Sequence, residues 1–137
     1  MTPEALGRLA ALTEARRDRD LARLEALMVE DRGLAEEIMC LAAVPAQDIA
    51  AGGTVLVPLV QQALRAAWVE QHITRARRRR GELAGEIAAA RAAAALSVGR
   101  HAALDRLATV AQGREVARRL AVAEREAPPV QAQGRYL

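Results

Sequence analysis

The chain has 137 residues, of which 52% are hydrophobic but only 1% aromatic, and it contains no Phe. Alanine supplies most of the apolar residues, so close-packed helices fit this composition, whereas a sandwich or a doubly wound sheet does not. The net charge is +3, but it is divided unevenly: residues 1–50 carry 6 Arg against 10 Asp and Glu, and residues 51–137 carry 14 Arg against 7. We therefore expect an all-α fold in which an acidic first part and a basic second part attract each other when folded back antiparallel.

The first helix is predicted over 3–43. Thr2 is a suitable N-cap, Pro3 suits the first helical position, and Glu4 lies near the positive end of the helix dipole. A coiled-coil row with alternating steps of three and four residues comprises Leu24, Leu27, Asp31, Leu34, Ile38 and Leu41. Asp31 predicts a layer that admits solvent. Upstream, a further apolar row is expected from Leu6, Leu9 and Leu12, whereas the segment from Arg16 to Asp20 is charged on all sides.

The second helix is predicted over 58–127, because no proline interrupts the chain between Pro58 and Pro128. Pro45 is expected to end the first helix, which places the hairpin tip at 44–57; an alternative places the reversal near Gly81. Residues 128–137 are expected to form a disordered tail. The sequence thus predicts a single domain, 1–127, that is a long antiparallel two-helix coiled-coil hairpin whose second helix runs on the order of 100 Å.

The second helix offers two candidate packing rows. The first consists of small residues that leave room for leucines of the first helix: Gly85, Ala88, Ala92, Ala95, Gly99 and Ala102. The second is expected beside it and comprises Leu83, Ile87, Ala90, Ala94 and Ser97. A first helix of about 40 residues covers only about 60 Å of the longer helix. The end of the second helix, with Leu104, Leu107, Val110 and Leu120, is therefore expected to bind another protein.

No motif predicts an enzyme, a cofactor or a metal. His72 and His101 lack ligands at metal-binding spacing, and Cys40 is expected to be a small buried hydrophobic residue. The segment 52–54 is no phosphate loop, because the chain contains no Lys. Solvated charge is expected at two carboxylate pairs: Glu36 with Glu37, and Glu82 with Glu86.

A basic patch divides the second helix; it comprises Arg75, Arg77, Arg78, Arg79 and Arg80. Three interpretations stay open: a charge complement facing the first helix, a docking surface for an acidic protein, or a nucleic-acid contact. The low net charge and the lack of stacking aromatics argue against nucleic acid. One cysteine and an N-terminus without signal-peptide features predict a cytoplasmic protein, peripheral to a membrane at most.

Two segments resemble the FliJ family of coiled-coil stalk proteins from flagellar and related type III export machinery. Residues 9–27, LAALTEARRDRDLARLEAL, are similar to the opening helix of that family. Residues 99–107, GRHAALDRL, followed by EVARR at 115–119, are similar to its Arg-rich, Leu-spaced segment near the end of the second helix. The resemblance implies a non-catalytic hairpin that inserts into an export ATPase ring, promotes hydrolysis and links the ring to the export gate.

The resemblance also assigns contact residues by pattern: Arg100, Leu104, Leu107, Arg114, Glu115 and Arg118. Two other functions remain open. A self-associating hairpin, either an export chaperone or a homodimeric four-helix bundle, would use the same apolar residues. A nucleic-acid-binding accessory protein would depend on the basic patch.

Overall fold

In a computed structural model, which describes residues 1–50 and 56–129 and the side chains of 1–43 and 58–129, the chain forms two helices. Helix α1 spans Pro3–Ala50 and helix α2 spans Leu56–Glu126. The two helices pack against each other, and the described residues contain no strand. The predicted all-α class is confirmed.

The start of α1 is built as its sequence predicts. The Ala5 backbone N–H donates a 3.2 Å hydrogen bond to Thr2 Oγ1, and the Leu6 N–H donates to the Thr2 carbonyl at 3.0 Å. Glu4 lies in the first turn. Thr2 is therefore an N-cap that satisfies amide groups left without partners at the helix start.

The helix ends differ from the predicted ones. Helix α1 continues through Pro45 to Ala50, so the prediction that Pro45 ends it is wrong. A proline removes one backbone hydrogen bond and strains the preceding turn, which weakens a helix but does not oblige it to stop. The alternative reversal near Gly81 is also wrong, because Gly81 lies inside α2. The remainder of the predicted tip, 51–55, and the tail residues 130–137 lie outside the described residues.

The chain divides into two compact units, each containing a segment of both helices. Unit 1 consists of Met1–Arg17 and Ser97–Leu137. Unit 2 consists of Asp18–Leu96. In unit 2, Glu30 and Asp31 of α1 form ion pairs with Arg79 and Arg80 of α2. Asp20 and Arg23 of α1 share a groove with four residues of α2, which are Glu86, Ala89, Ala90 and Ala93.

One side of α1 is less exposed than the rest, and in unit 2 it follows the predicted row. Leu24, Leu27, Leu34, Ile38 and Leu41 are partly buried along it, together with Asp31. The spacing continues upstream in unit 1, where Leu6 and Thr13 are partly buried and Ala10 is buried. Leu9 and Leu12 are exposed, so the predicted upstream row is correct only for Leu6.

The buried side of α2 is the second of the two rows considered from the sequence. Val69, Ala76, Leu83, Ala90, Ala94 and Ser97 are buried, and Leu83 is 0% exposed. The row of small residues that includes Gly85 and Gly99 is largely exposed, and a Cβ at either glycine would meet nothing within 4 Å. Gly85 follows Leu83 by two residues, which is about 200° around a helix. The two rows thus lie on opposite sides of α2, and the apolar side of Leu83 is the one that packs.

Candidate partner-binding surfaces

Two arginines of the basic patch form ion pairs with α1. Arg79 Nε lies 2.9 Å from Glu30 Oε1 and its Nη2 lies 3.3 Å from Glu30 Oε2. Arg80 Nε lies 2.9 Å from Asp31 Oδ1 and its Nη2 lies 3.4 Å from Asp31 Oδ2. Adjacent arginines of one helix therefore bind adjacent carboxylates of the other, each through a bidentate ion pair.

These contacts change the titration of both carboxylates. The hydrogen bonds from Arg79 lower the pKa of Glu30, and those from Arg80 lower the pKa of Asp31, against a smaller opposing effect of desolvation. Arg79 also lies 3.4 Å from Glu82 and 3.3 Å from Glu86 on its own helix, and its pKa is raised, first by Glu30. The cluster is held in its charged form, although exposed pairs of this kind contribute little stability.

The same four residues select one alignment of the helices. A shift of one heptad would place Glu30 and Asp31 opposite either His72 and Ile73 or Glu86 and Ile87. The first alternative leaves the carboxylate of Asp31 against an apolar side chain, and the second brings two carboxylates together. Because both alternatives lose the ion pairs, we expect the cluster to act as a register device, a role that polar groups have in coiled coils. The ion pairs of Arg79 and Arg80 agree with one of the three interpretations of the basic patch, a charge complement facing α1.

The other three arginines of the patch have no such role. Arg75, Arg77 and Arg78 are exposed, and within residues 1–43 and 58–129 none of them forms an ion pair. Three positive charges thus remain available on the surface of unit 2.

The six contact residues assigned by pattern lie along the α2 segment of unit 1. Arg100, Leu107, Arg114 and Arg118 are exposed, whereas Leu104 and Glu115 are partly buried on the side that continues the buried row. Arg118 binds Glu115 through distances of 2.7 and 3.1 Å, and Arg119 reaches the same carboxylate at 3.2 Å. These arginines, Arg118 foremost, lower the pKa of Glu115. The structure therefore brings together Glu115 and Arg118, as a pair within one helix.

The end of α2 is exposed on every side. Each residue from 116 to 126 is helical and exposed. Large apolar side chains are nevertheless present: Leu120 is 61% exposed, Leu107 is 55% exposed, and Val110, Val116 and Val122 are exposed as well. A helix segment whose apolar side chains are exposed among the described residues is a surface suited to another protein.

The histidines and the cysteine occupy ordinary helical positions. His101 Nδ1 lies 3.2 Å from both the Ala10 carbonyl oxygen and Thr13 Oγ1 of α1, and Thr13 donates its own hydroxyl proton to Ala10 O at 2.9 Å. With its proton on Nδ1, His101 donates toward these two oxygens of α1, so it joins the two helix segments of unit 1. Cys40 is exposed, which makes the expectation of a buried cysteine wrong. It follows Ile38 of the packed row by two residues and so points to the opposite side.

Unit 2 also contains a groove of about 300 Å³, lined by Asp20, Arg23, Glu86, Ala89, Ala90 and Ala93. Three of its six lining residues are alanines. Of the charged ones, Glu86 forms an ion pair with Arg79, and Asp20 has a polar or charged partner as well. Among the described residues, no three His, Cys, Asp or Glu side chains are grouped to hold a metal ion. Likewise, within those residues no helix carries an apolar stretch long enough to cross a membrane.

One ion pair of the basic patch, between Asp31 and Arg80, was not predicted from the sequence. Asp31 was expected to admit solvent, yet it binds Arg80; the signal was the matching of two adjacent acids with two adjacent arginines. Trp68, the one tryptophan of the chain, is 52% exposed within a row of exposed residues. Comparison of the chain with protein-family models, curated proteins and solved structures found no match.

Proposed function

We propose that this chain is a non-catalytic, cytoplasmic coiled-coil adaptor of a flagellar-type (type III) protein export apparatus. Its two helices form an antiparallel coiled-coil hairpin, and the exposed end of α2 engages the export ATPase ring and couples it to the export gate. The alternating spacing of the packed rows and the falling order of α2 contacts along α1 support the hairpin.

The observation that carries the proposal is the exposure of residues 116–126 together with Leu107 and Val110. If another protein covers Leu107 and Leu120, their apolar surface is removed from water, which contributes roughly 25 cal/mol for each Å² buried. Arginines stand next to these side chains, with Arg114 and Arg118 both exposed. Arginine is one of the residue types that are enriched at protein-binding surfaces. The choice of an export ATPase as the partner rests on the resemblance to the FliJ family.

The test measures ATP hydrolysis by a purified type III export ATPase from the same genome, with and without the full chain. Stimulation by the wild-type chain is expected, and Leu107→Glu combined with Leu120→Glu should abolish it by placing two charges in the interface. Leu12→Glu is the matched control, because Leu12 belongs to the same unit and is 67% exposed. It should stimulate like the wild type.

Two results would overturn the proposal. One is a chain that neither stimulates hydrolysis nor migrates with the ATPase on a sizing column. The other is equal loss of stimulation in the Leu12→Glu control and in the double variant. A stable dimer without any ATPase response would favour the self-associating hairpin instead.

A further inference from the structure

A second exposed row runs along α2 within unit 2, away from the end proposed to bind the ATPase. Its members follow one another at steps of four or three residues, and all are exposed: Val60, Leu64, Trp68, Gln71, Arg75 and Arg78. Residues with this spacing lie along one side of a helix. We name them the Trp68 row. It spans 18 residue steps, or about 27 Å.

The row has an apolar half and a basic half. Leu64 is 67% exposed, Trp68 is 52% exposed and Val60 is exposed as well, although these are the kinds of side chain that gain most from burial. The basic half contains Arg75 and Arg78, which form no ion pair within the described side chains, whereas the neighbouring Arg79 and Arg80 are bound to α1. A partner that covers the whole row must therefore bring apolar side chains to one half and negative charges to the other.

Trp68 is held in place from its own helix. The His72 ring lies against the indole with a centroid separation of 3.9 Å and an interplanar angle of 30°, and His72 Nδ1 lies 2.8 Å from the Trp68 carbonyl oxygen. A proton on Nδ1 is donated to that carbonyl. An aromatic side chain whose orientation is restricted before binding loses less freedom when a partner covers it. Tryptophan and arginine are also the residue types that most often dominate binding energies.

We propose that the Trp68 row is a docking site for an acidic amphipathic helix of another protein. The apolar face of that helix packs on Val60, Leu64 and Trp68, and carboxylates in the following turns pair with Arg75 and Arg78. The charge complementarity selects an acidic partner, and the length and straight spacing of the row select a helix of about 18 residues. This inference does not depend on the proposed export role.

The probe is a synthetic 18-residue amphipathic peptide with leucines along one side of its first half and glutamates on the same side of its second half. A second peptide carries lysines in place of the glutamates. Trp68 is the one tryptophan of the chain, so its fluorescence reports on the site directly. Binding of the acidic peptide to the full chain is expected to shift the emission to shorter wavelength, and the lysine peptide is expected to leave it unchanged.

Matched variants separate the row from the rest of α2. Arg75→Glu and Arg78→Glu should each weaken binding of the labelled acidic peptide about fivefold, whereas Arg77→Glu, in the same patch but off the row, should not. Leu64→Ala should weaken binding, and Leu59→Ala, which is exposed but off the row, should not. Trp68→Ala should weaken it about thirtyfold, measured by anisotropy of the labelled peptide.

Three outcomes would overturn the proposal. The first is the absence of any emission shift up to the solubility limit of the acidic peptide. The second is an equal effect of Arg77→Glu and Arg78→Glu, which would show a diffuse charge effect. The third is an emission shift that follows the concentration of the chain itself without peptide, which would make the row an interface between copies.

Discussion

Leu83→Ala is the substitution that most directly tests the packing of α2 in unit 2. Leu83 is 0% exposed, and the residues one heptad before and after it are Ala76 and Ala90. The leucine therefore supplies the large side chain between two alanines of the buried row. Its replacement removes three buried carbon atoms and leaves a gap that neighbouring alanines cannot fill.

The expected loss can be worked from these features. Leu→Ala in closed globular cores lowers the free energy of unfolding by about 2.7–5 kcal/mol, through lost burial and the remaining cavity. Here only two helices surround the site and they can close part of the gap, so we expect the lower end, about 2–3 kcal/mol. For a chain of this size the midpoint of thermal unfolding should fall by about 10 °C.

The assay is unfolding of the full chain by heat and by urea, followed by circular dichroism at several protein concentrations to separate folding from self-association. Leu96→Ala is the control, because it makes the same chemical change on the same helix at a side chain that is 54% exposed. It should change stability by no more than about 0.5 kcal/mol. Equal effects of Leu83→Ala and Leu96→Ala would refute the assignment of the buried row.

Three further predictions follow from other contacts. The arginine partners of Glu30 and Asp31 lower the pKa values of both carboxyl groups, so the stabilisation from these pairs is complete above about pH 5 and is lost as the pH falls through the lowered values. The double variant Glu30→Gln with Asp31→Asn should therefore show a smaller loss of melting temperature in acid than the wild type. An unchanged pH profile of the melting temperature would contradict the pairing. Exchanging the charges, with arginines at 30 and 31 and glutamates in place of Arg79 and Arg80, should restore the melting temperature that either half alone lowers; no recovery in the fourfold variant would argue against the register device. Gly85→Ala should stabilise the chain by about 0.5–1 kcal/mol in urea unfolding, because the glycine lies inside a helix with open space at its Cβ position, and a loss of stability would show that this side is covered.

The parts of the fold that local chemistry decides could be predicted from the sequence. Thr2 caps α1 because its hydroxyl is placed to accept an amide hydrogen wherever a helix starts there. The row from Leu24 to Leu41 is recognisable because large apolar residues recur among charged ones, so the spacing has strong contrast. The all-α class follows from the composition, because alanine supplies most of the apolar residues and aromatic residues make up only 1%.

Features that depend on a difference in hydrophobicity between the faces of a helix, or on contacts with the second helix, could not be predicted from the sequence. In α2, alanines occur on all sides, so the packed side is decided by a few residues such as Leu83 and Val69, and periodicity alone favours the row through Gly85 equally well. The same difficulty affects Cys40, whose apolar neighbour Met39 suggests burial although both are exposed. The end of α1 was misplaced because Pro45 lowers helix stability locally, while packing along the remainder of the helix decides whether it continues.

The candidate surfaces divide in the same way. The exposed end of α2 could be predicted from helix lengths, because a shorter helix cannot cover a longer one. The pairing of Glu30 and Asp31 with Arg79 and Arg80 needed the alignment of the two helices, which no single stretch of sequence contains. The Trp68 row likewise could not be predicted, because the sequence does not show which side of α2 is exposed.

Hydrogen exchange of the full chain, alone and with the export ATPase, tests the central claim most directly. In the free chain, amides of residues 116–126 should exchange faster than those around Leu83, because the side chains of 116–126 are all exposed whereas Leu83 is buried. Addition of the ATPase should slow exchange in the segment that contains Leu107 and Leu120 and leave the centre of unit 2 unchanged. Unaltered exchange in that segment, with the ATPase present in excess, would contradict the claim that the end of α2 is the binding surface.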